Sequence, residues 1–178
     1  LDDDRVLSVD SIVVNEGSPK AVFTVTANVG ETLTLSLGNG TTNPTATSGT
    51  DYGTALEYWD PTSGVSGAWL AYSGSVTVPG TGTGSTSLLV RVAVNADTVF
   101  EGPEDFKLTA TYTSGATKTA TGVATIRDDG TGTKYPDVAP NAGPAPVTDT
   151  TNLDDDRVLS VNSIVVNEGS PKAVFTVT

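Results

Sequence analysis

The first 26 residues of the chain return as its last 26: residues 1–26 and 153–178 are identical except that Asp10 becomes Asn162. Leu1 recurs as Leu153, a period of 152 residues, far longer than a solenoid unit and about right for one domain plus a linker. The chain therefore reads as one full period of a tandem array followed by the opening of the next copy. An array of near-equal modules supplies length or multivalency more readily than a unique active site. The 26-residue overhang is too short to fold alone.

Composition narrows the function classes. With 9 Lys+Arg against 21 Asp+Glu the net charge is −12, which opposes a phosphate-backbone partner, so no nucleic acid is expected. The same carboxylates suit bound cations. Cysteine and histidine are both absent, which excludes disulfides, a cysteine zinc site, a thiol nucleophile and a histidine general base. The Gly-Thr-Gly-Thr runs open no helix, so they are turns or linker and not phosphate loops. Carboxylates gathered around a cation are ionised and occupied, a poor state for the general acid of a glycosidase. The chain is not expected to be an enzyme. No apolar run approaches the ~18 residues of a membrane-spanning helix, so direct membrane insertion is not expected. A first residue other than Met, with no signal peptide, fits a piece of something larger.

Periodicity is that of β-strands. Leu33, Leu35 and Leu37 alternate with Thr32, Thr34 and Ser36, which turns one apolar face inward and a hydroxyl face outward. The same alternation runs through Phe23 and Val25, Val76 and Val78, Leu88 to Val94, and Phe106 to Tyr112. Gly-rich breaks and the lack of a 3.6-residue period predict an all-β, antiparallel, up-and-down sandwich, with strands near 5–14, 20–27, 31–37, 55–59, 68–72, 75–78, 87–94, 105–112 and 119–127. Residues 1–129 form the domain in this reading. Residues 130–152, with Pro136, Pro140, Pro144 and Pro146, have the composition of a semi-rigid linker, and 153–178 begin the next repeat with its first two strands.

Seven carboxylates fall between strands and not at random: Glu16, Asp51, Asp97, Glu101, Glu104, Asp128 and Asp129. Each alone is most simply a solvated turn former. In a sandwich, alternate turns gather at one end, so together they can meet at one pole. Calcium takes 6 to 8 oxygens with tolerant angles, which loops from several strands can supply, whereas magnesium demands a stricter octahedron.

Four segments, in order and spacing, resemble the signature segments of Calx-β calcium-binding domains. They are Val14-Asn15-Glu16-Gly17, then 46–52, then 95–106, and 124–129. They are still more similar to the Calx-β-related extender repeats of large bacterial RTX-type adhesins. The resemblance implies an immunoglobulin-like sandwich with a calcium cluster at its C-terminal pole. It sets all seven carboxylates on ligand positions and the carbonyl of Val99 on a backbone-ligand position. Ala96 and Gly130 stand where many members have an acid, so one to three Ca2+ ions are expected, not the fullest cluster.

Asp2, Asp3 and Asp4, repeated as Asp154, Asp155 and Asp156, form a second acidic cluster where linker meets domain. Such a run is commonly a solvated face, neutralised here by Arg5 and Arg157. Alternatively it holds calcium at the joint and stiffens the array. The added hairpin around Trp59 and Trp69 is explained by cross-strand packing, with glycan binding as the sharper alternative. Phe100 and Phe106 read as core residues and Tyr52 as packing under the metal pole.

The resemblance thus implies a calcium-rigidified spacer, extracellular at a bacterial cell surface, that projects an adhesive tip for attachment or biofilm. Its partners are neighbouring repeats, and no sugar ligand is expected on this reading; a repeat binding glycan or another partner through the Trp59/Trp69 hairpin is the alternative. Residues 1–26 should fill the single body, because their connection is short. The copy at 153–178 should then fray or pair with another molecule by strand swapping.

Overall fold

A computed structural model describes residues 4–41, 45–137 and 153–178. Among the described residues ten strands form two five-stranded sheets packed as a sandwich, the all-β architecture expected. They are β1 Leu7–Val9, β2 Ile12–Asn15, β3 Lys20–Asn28, β4 Thr32–Asn39, β5 Tyr52–Asp60, β6 Ala68–Ala71, β7 Val76–Thr77, β8 Ser85–Val94, β9 Glu104–Tyr112 and β10 Thr119–Arg127. One sheet runs β1-β3-β8-β5-β6 and the other β2-β10-β9-β4-β7. Among the described residues none is helical, so no helix is long and apolar enough to cross a membrane.

Two points depart from the sequence reading. The first strand, expected to run unbroken over 5–14, is two strands in different sheets, and β2 pairs with β10 in parallel, so the topology is not purely up-and-down. The break has a local cause. Asp10 accepts a hydrogen bond from the Thr24 amide at 2.7 Å while Ser11 Oγ accepts one from the Val123 amide at 3.1 Å, so the two residues between β1 and β2 are held to opposite sheets. Gly122 of β10 permits the crossing: a Cβ there would lie 1.8 Å from the Asp10 carbonyl oxygen. Second, residues 133–135, assigned to the linker, lie against the domain. Thr133 bridges to Val14, Tyr135 bridges to Lys20, and the Tyr135 ring packs on the core. Any linker begins after them.

The alternating residues do what their period predicts. Phe23, Val25 and Ala27 of β3, Leu88 and Val90 of β8, and Phe106, Leu108 and Ala110 of β9 are fully buried between the sheets. Each large side chain contributes roughly 1.5–3 kcal/mol by leaving water. Phe106 is central: Tyr52 stacks on it at 4.2 Å and Phe23 meets it edge-on at 5.9 Å. Outward-facing threonines pair across strands, Thr109 with Thr121 at 3.1 Å and Thr111 with Thr119 at 3.0 Å.

At the end of the sandwich where β2 and β10 finish and β9 begins, four chain segments converge. They are the β2–β3 turn, the end of the β4–β5 connection, the β8–β9 loop and the residues after β10. Asp4 is exposed near Arg5, which is bound to Ser114 and Ala116 in the β9–β10 turn at the opposite end.

Candidate metal centre at the C-terminal pole

The convergence brings carboxylates from all four segments together. Asp51, Glu101 and Glu104 each offer an oxygen, and the three lie within 4.8 Å of one another. A second group with the same closeness joins Asp128, at the end of β10, to Asp154 and Asp156 of the repeated segment. Between the groups Glu16 Oε1 accepts a hydrogen bond from the Asp97 amide at 3.1 Å, and Asp128 Oδ2 accepts one from the Glu101 amide at 2.9 Å. The β8–β9 loop is thereby fixed to both neighbours. Asp97 also folds its own loop, accepting from the Val99 amide at 2.7 Å.

Electrostatics at the pole show the strain of gathering like charges. Burial, with Asp128, Asp97 and Asp154 nearby, pushes the Glu16 carboxyl up to about 7, although the Asp97 amide partly offsets this. Glu104 rises to about 7 through burial and its contact with Asp51, Glu101 and Glu16. Burial and Asp51, Asp97 and Asp128 raise Glu101 as well.

The donor set fits a hard cation. It is all oxygen, drawn from several loops and rich in carboxylates. Asp156 Oδ2 is shielded from solvent without a hydrogen-bond donor, an arrangement that costs free energy unless a cation or proton satisfies it.

Two of the acids assigned to metal are directed elsewhere. Asp129 accepts from Thr131 and pairs with Arg127 at 3.3 Å, interactions that hold its carboxyl below the usual range. Asp155 is clamped by Arg157 at 2.7 Å. Neither joins a carboxylate group; each is paired with an arginine instead. Asp2 and Asp3 lie outside the described residues, and Asp4 is at the far end from the pole.

Phe100 also differs from expectation. It is 48% exposed, on a β8–β9 loop whose turns are directed at the carboxylates and so carry the ring outward, beside Pro103, Arg127 and Arg157. The Trp59–Trp69 pair does face across β5 and β6, edge-on at 5.5 Å. Trp69, however, is buried, with the Arg91 guanidinium 4.3 Å over its ring. That favours packing over a sugar-stacking surface.

Sequence reasoning missed Asn15, the hub of the joint. Its wholly buried amide receives the Asp154 amide at 3.1 Å and the Gly17 amide at 2.9 Å on Oδ1, and donates to the Thr131 carbonyl at 3.0 Å and the Asp154 carbonyl at 3.3 Å. Gly17 leaves the room: a Cβ there would stand 3.1 Å from the Asp154 nitrogen. Gly130 then donates to the Asp154 carbonyl at 2.9 Å and Arg157 to the Asp129 carbonyl at 3.0 Å. A buried Asn at the tip of a strand, next to a Gly and the first acid, was the available signal.

No protein-family model matches the sequence, and no curated protein does. A solved structure described as the crystal structure of the apo-form Calx CBD1 domain is similar, at 15% identity and a TM-score of 0.38, over 68% of this chain and 98% of that one.

Proposed function

We propose that the chain is a calcium-set spacer module, one period of an array in which each domain's C-terminal pole grips the start of the next. One observation carries this reading: Asp154 and Asp156, which open the second copy, close a carboxylate group with Asp128 of the first domain. A pole that shares its ligands with the following repeat couples the folding of a domain to the direction of its neighbour.

Glu16, Asp51, Asp97, Glu101 and Glu104 would hold cation within the domain, and Asp128, Asp154 and Asp156 would hold it at the joint. Bound calcium supplies positive charge that lets these groups ionise together. The chain's own residues do the positioning. Asn15 and Gly130 fix the Asp154 backbone, and the Asp156 amide reaches Asp128 Oδ1 at 3.3 Å. The resemblance to adhesin extender repeats adds the wider setting: a secreted, surface-tethered bacterial protein with its adhesive tip held away from the cell.

Calorimetric titration with calcium tests this. Binding that weakens both in Asp128→Asn and in an Asp154→Asn/Asp156→Asn double variant supports a joint site. Binding untouched by the double variant confines the cation to the domain and removes the stiffening mechanism.

A further inference from the structure

The connection between the domain and the start of the next repeat begins and ends on one residue. Asn15 Nδ2 donates to the Thr131 carbonyl at 3.0 Å and, on the other side of residues 132–153, to the Asp154 carbonyl at 3.3 Å, while Asn15 Oδ1 accepts from the Asp154 amide at 3.1 Å. Gly130 closes the same gap directly, donating to the Asp154 carbonyl at 2.9 Å. Thr131 and Asp154 therefore meet at a single buried side chain. Glycine makes the room on both sides: a Cβ at Gly17 would stand 3.1 Å from the Asp154 nitrogen, and one at Gly130 would stand 3.3 Å from Asp155 Oδ2.

The outgoing segment is held along the domain before it leaves. The Asn15 amide donates to the Thr133 carbonyl and the Thr133 amide to the Val13 carbonyl, each at 3.0 Å, so the edge of β2 that does not face β10 is covered. The Tyr135 amide donates to Ser18 Oγ at 2.8 Å and its ring packs on the core. Asp137 then lies 3.8 Å from Lys20 Nζ and 3.7 Å from the guanidinium of Arg91, a buried residue that also pairs with Glu57 at 2.8 Å. Exposed ion pairs of this length contribute little on their own. The hydrogen bonds upstream of Asp137 fix the segment, and the ion pairs set where it departs.

A linker spaces two domains because its ends can separate, by a distance that depends on its length and composition. Here the two ends are tied together, as in an Ω-loop, by hydrogen bonds among Asn15, Gly130, Thr131 and Asp154. We propose that the repeat-to-repeat distance in the array is set by this seat at Asn15, and that residues 138–152 can change in length and composition without changing it. The stretch is then a place where sequence can be inserted or exchanged while the array keeps its period in space. Closing a longer loop costs more only as the logarithm of its length, so an insertion barely loosens the seat. The inference rests on the spacer reading for the existence of an array but uses no cation, because every contact in the tie is made by the chain itself.

Pulsed electron paramagnetic resonance on the full chain tests it. The sequence has no cysteine, so nitroxide labels at Ser36→Cys on β4 and Leu159→Cys beyond the joint, both exposed positions, form a unique pair. A Gly-Ser insert that doubles the connection, placed after Pro144, should leave the peak and the width of the distance distribution unchanged. A peak that moves outward or broadens with the insert would overturn the proposal. Asn15→Ala, which removes the seat, and Gly17→Val, which crowds the Asp154 nitrogen, should each make the distance follow the insert, with far-ultraviolet circular dichroism reporting that the sandwich is intact. A distance that still ignores the insert in both variants would overturn it as well, since something other than Asn15 would then hold the joint. Dependence on the insert reads this inference and dependence on calcium reads the cation site, so failure of one is told apart from failure of the other.

Discussion

Residues 1–26 and 153–178 have the same sequence at all but one position, yet one copy contributes β1, β2 and most of β3 and the other contributes no extended strand. Their turns, caps and the bridge between their two ends agree. The difference separates what this sequence encodes locally from what it needs a partner to express. Asn and Ser side chains set the turns wherever the segment lies, because their hydrogen bonds span only two residues. Strand character and burial come from β8, β10 and the core, which are long-range partners. Arginine shows the same division. Arg5 lies over Tyr112 at 4.4 Å at the far pole of its own domain, whereas Arg157 reaches back to Asp155 and the Asp129 carbonyl.

The comparison breaks most sharply at the buried phenylalanine. Phe23→Ala should cost about 3–5 kcal/mol in urea unfolding, the usual range for an aromatic core truncation. Phe175→Ala in the otherwise unaltered chain should change stability by no more than ~0.5 kcal/mol. Comparable losses at the two sites would mean that the second copy is packed in solution.

Next in size is the asparagine pair. Asn15→Ala leaves the Asp154 and Gly17 amides without their acceptor and should cost about 1–3 kcal/mol, while Asn167→Ala, at an exposed turn, should be close to silent. Thermal melts of the two variants side by side read this directly. Asp128→Asn removes the residue common to the joint group and the β8–β9 loop, and calcium affinity should fall roughly tenfold or more. An unchanged dissociation constant would place the cation elsewhere.

The smallest effect is the pH profile without calcium. Glu16 has a folded value of about 7 against an ordinary 4.5, so the folded state binds its proton more tightly than the unfolded state does. Its contribution is favourable below about 4.5 and is lost as pH rises toward 7. The chelated protein should therefore melt higher at pH 5 than at pH 8, and Glu16→Gln should flatten that dependence.

Much of the architecture was legible. Alternation in 32–37, 87–94 and 105–112 identified strands and their buried faces, since period and burial are the same fact in a two-sheet sandwich. The split of 5–14 was not, because it depends on Asp10 and Ser11 meeting strands more than a dozen residues away and on the missing side chain of Gly122. At the pole, residue type and position between strands were enough to nominate the acids. They could not tell which carboxylates face one another. Asp129 and Asp155 are paired with Arg127 and Arg157 while Asp128 and Asp156 face one another, and that is decided by the path of the chain after β10.

In the proposed spacer, the pole and the start of the next copy are like charges closed by one class of cation. Melting the full chain with saturating calcium and with excess chelator tests it most directly. At a hundredfold excess over Kd, binding confined to the folded state contributes about 2.7 kcal/mol, which raises the melting temperature by roughly 5–10 °C. That rise is expected, with its reversal by chelator and a smaller rise in the Asp154→Asn/Asp156→Asn chain. A melting temperature unmoved by calcium would contradict it.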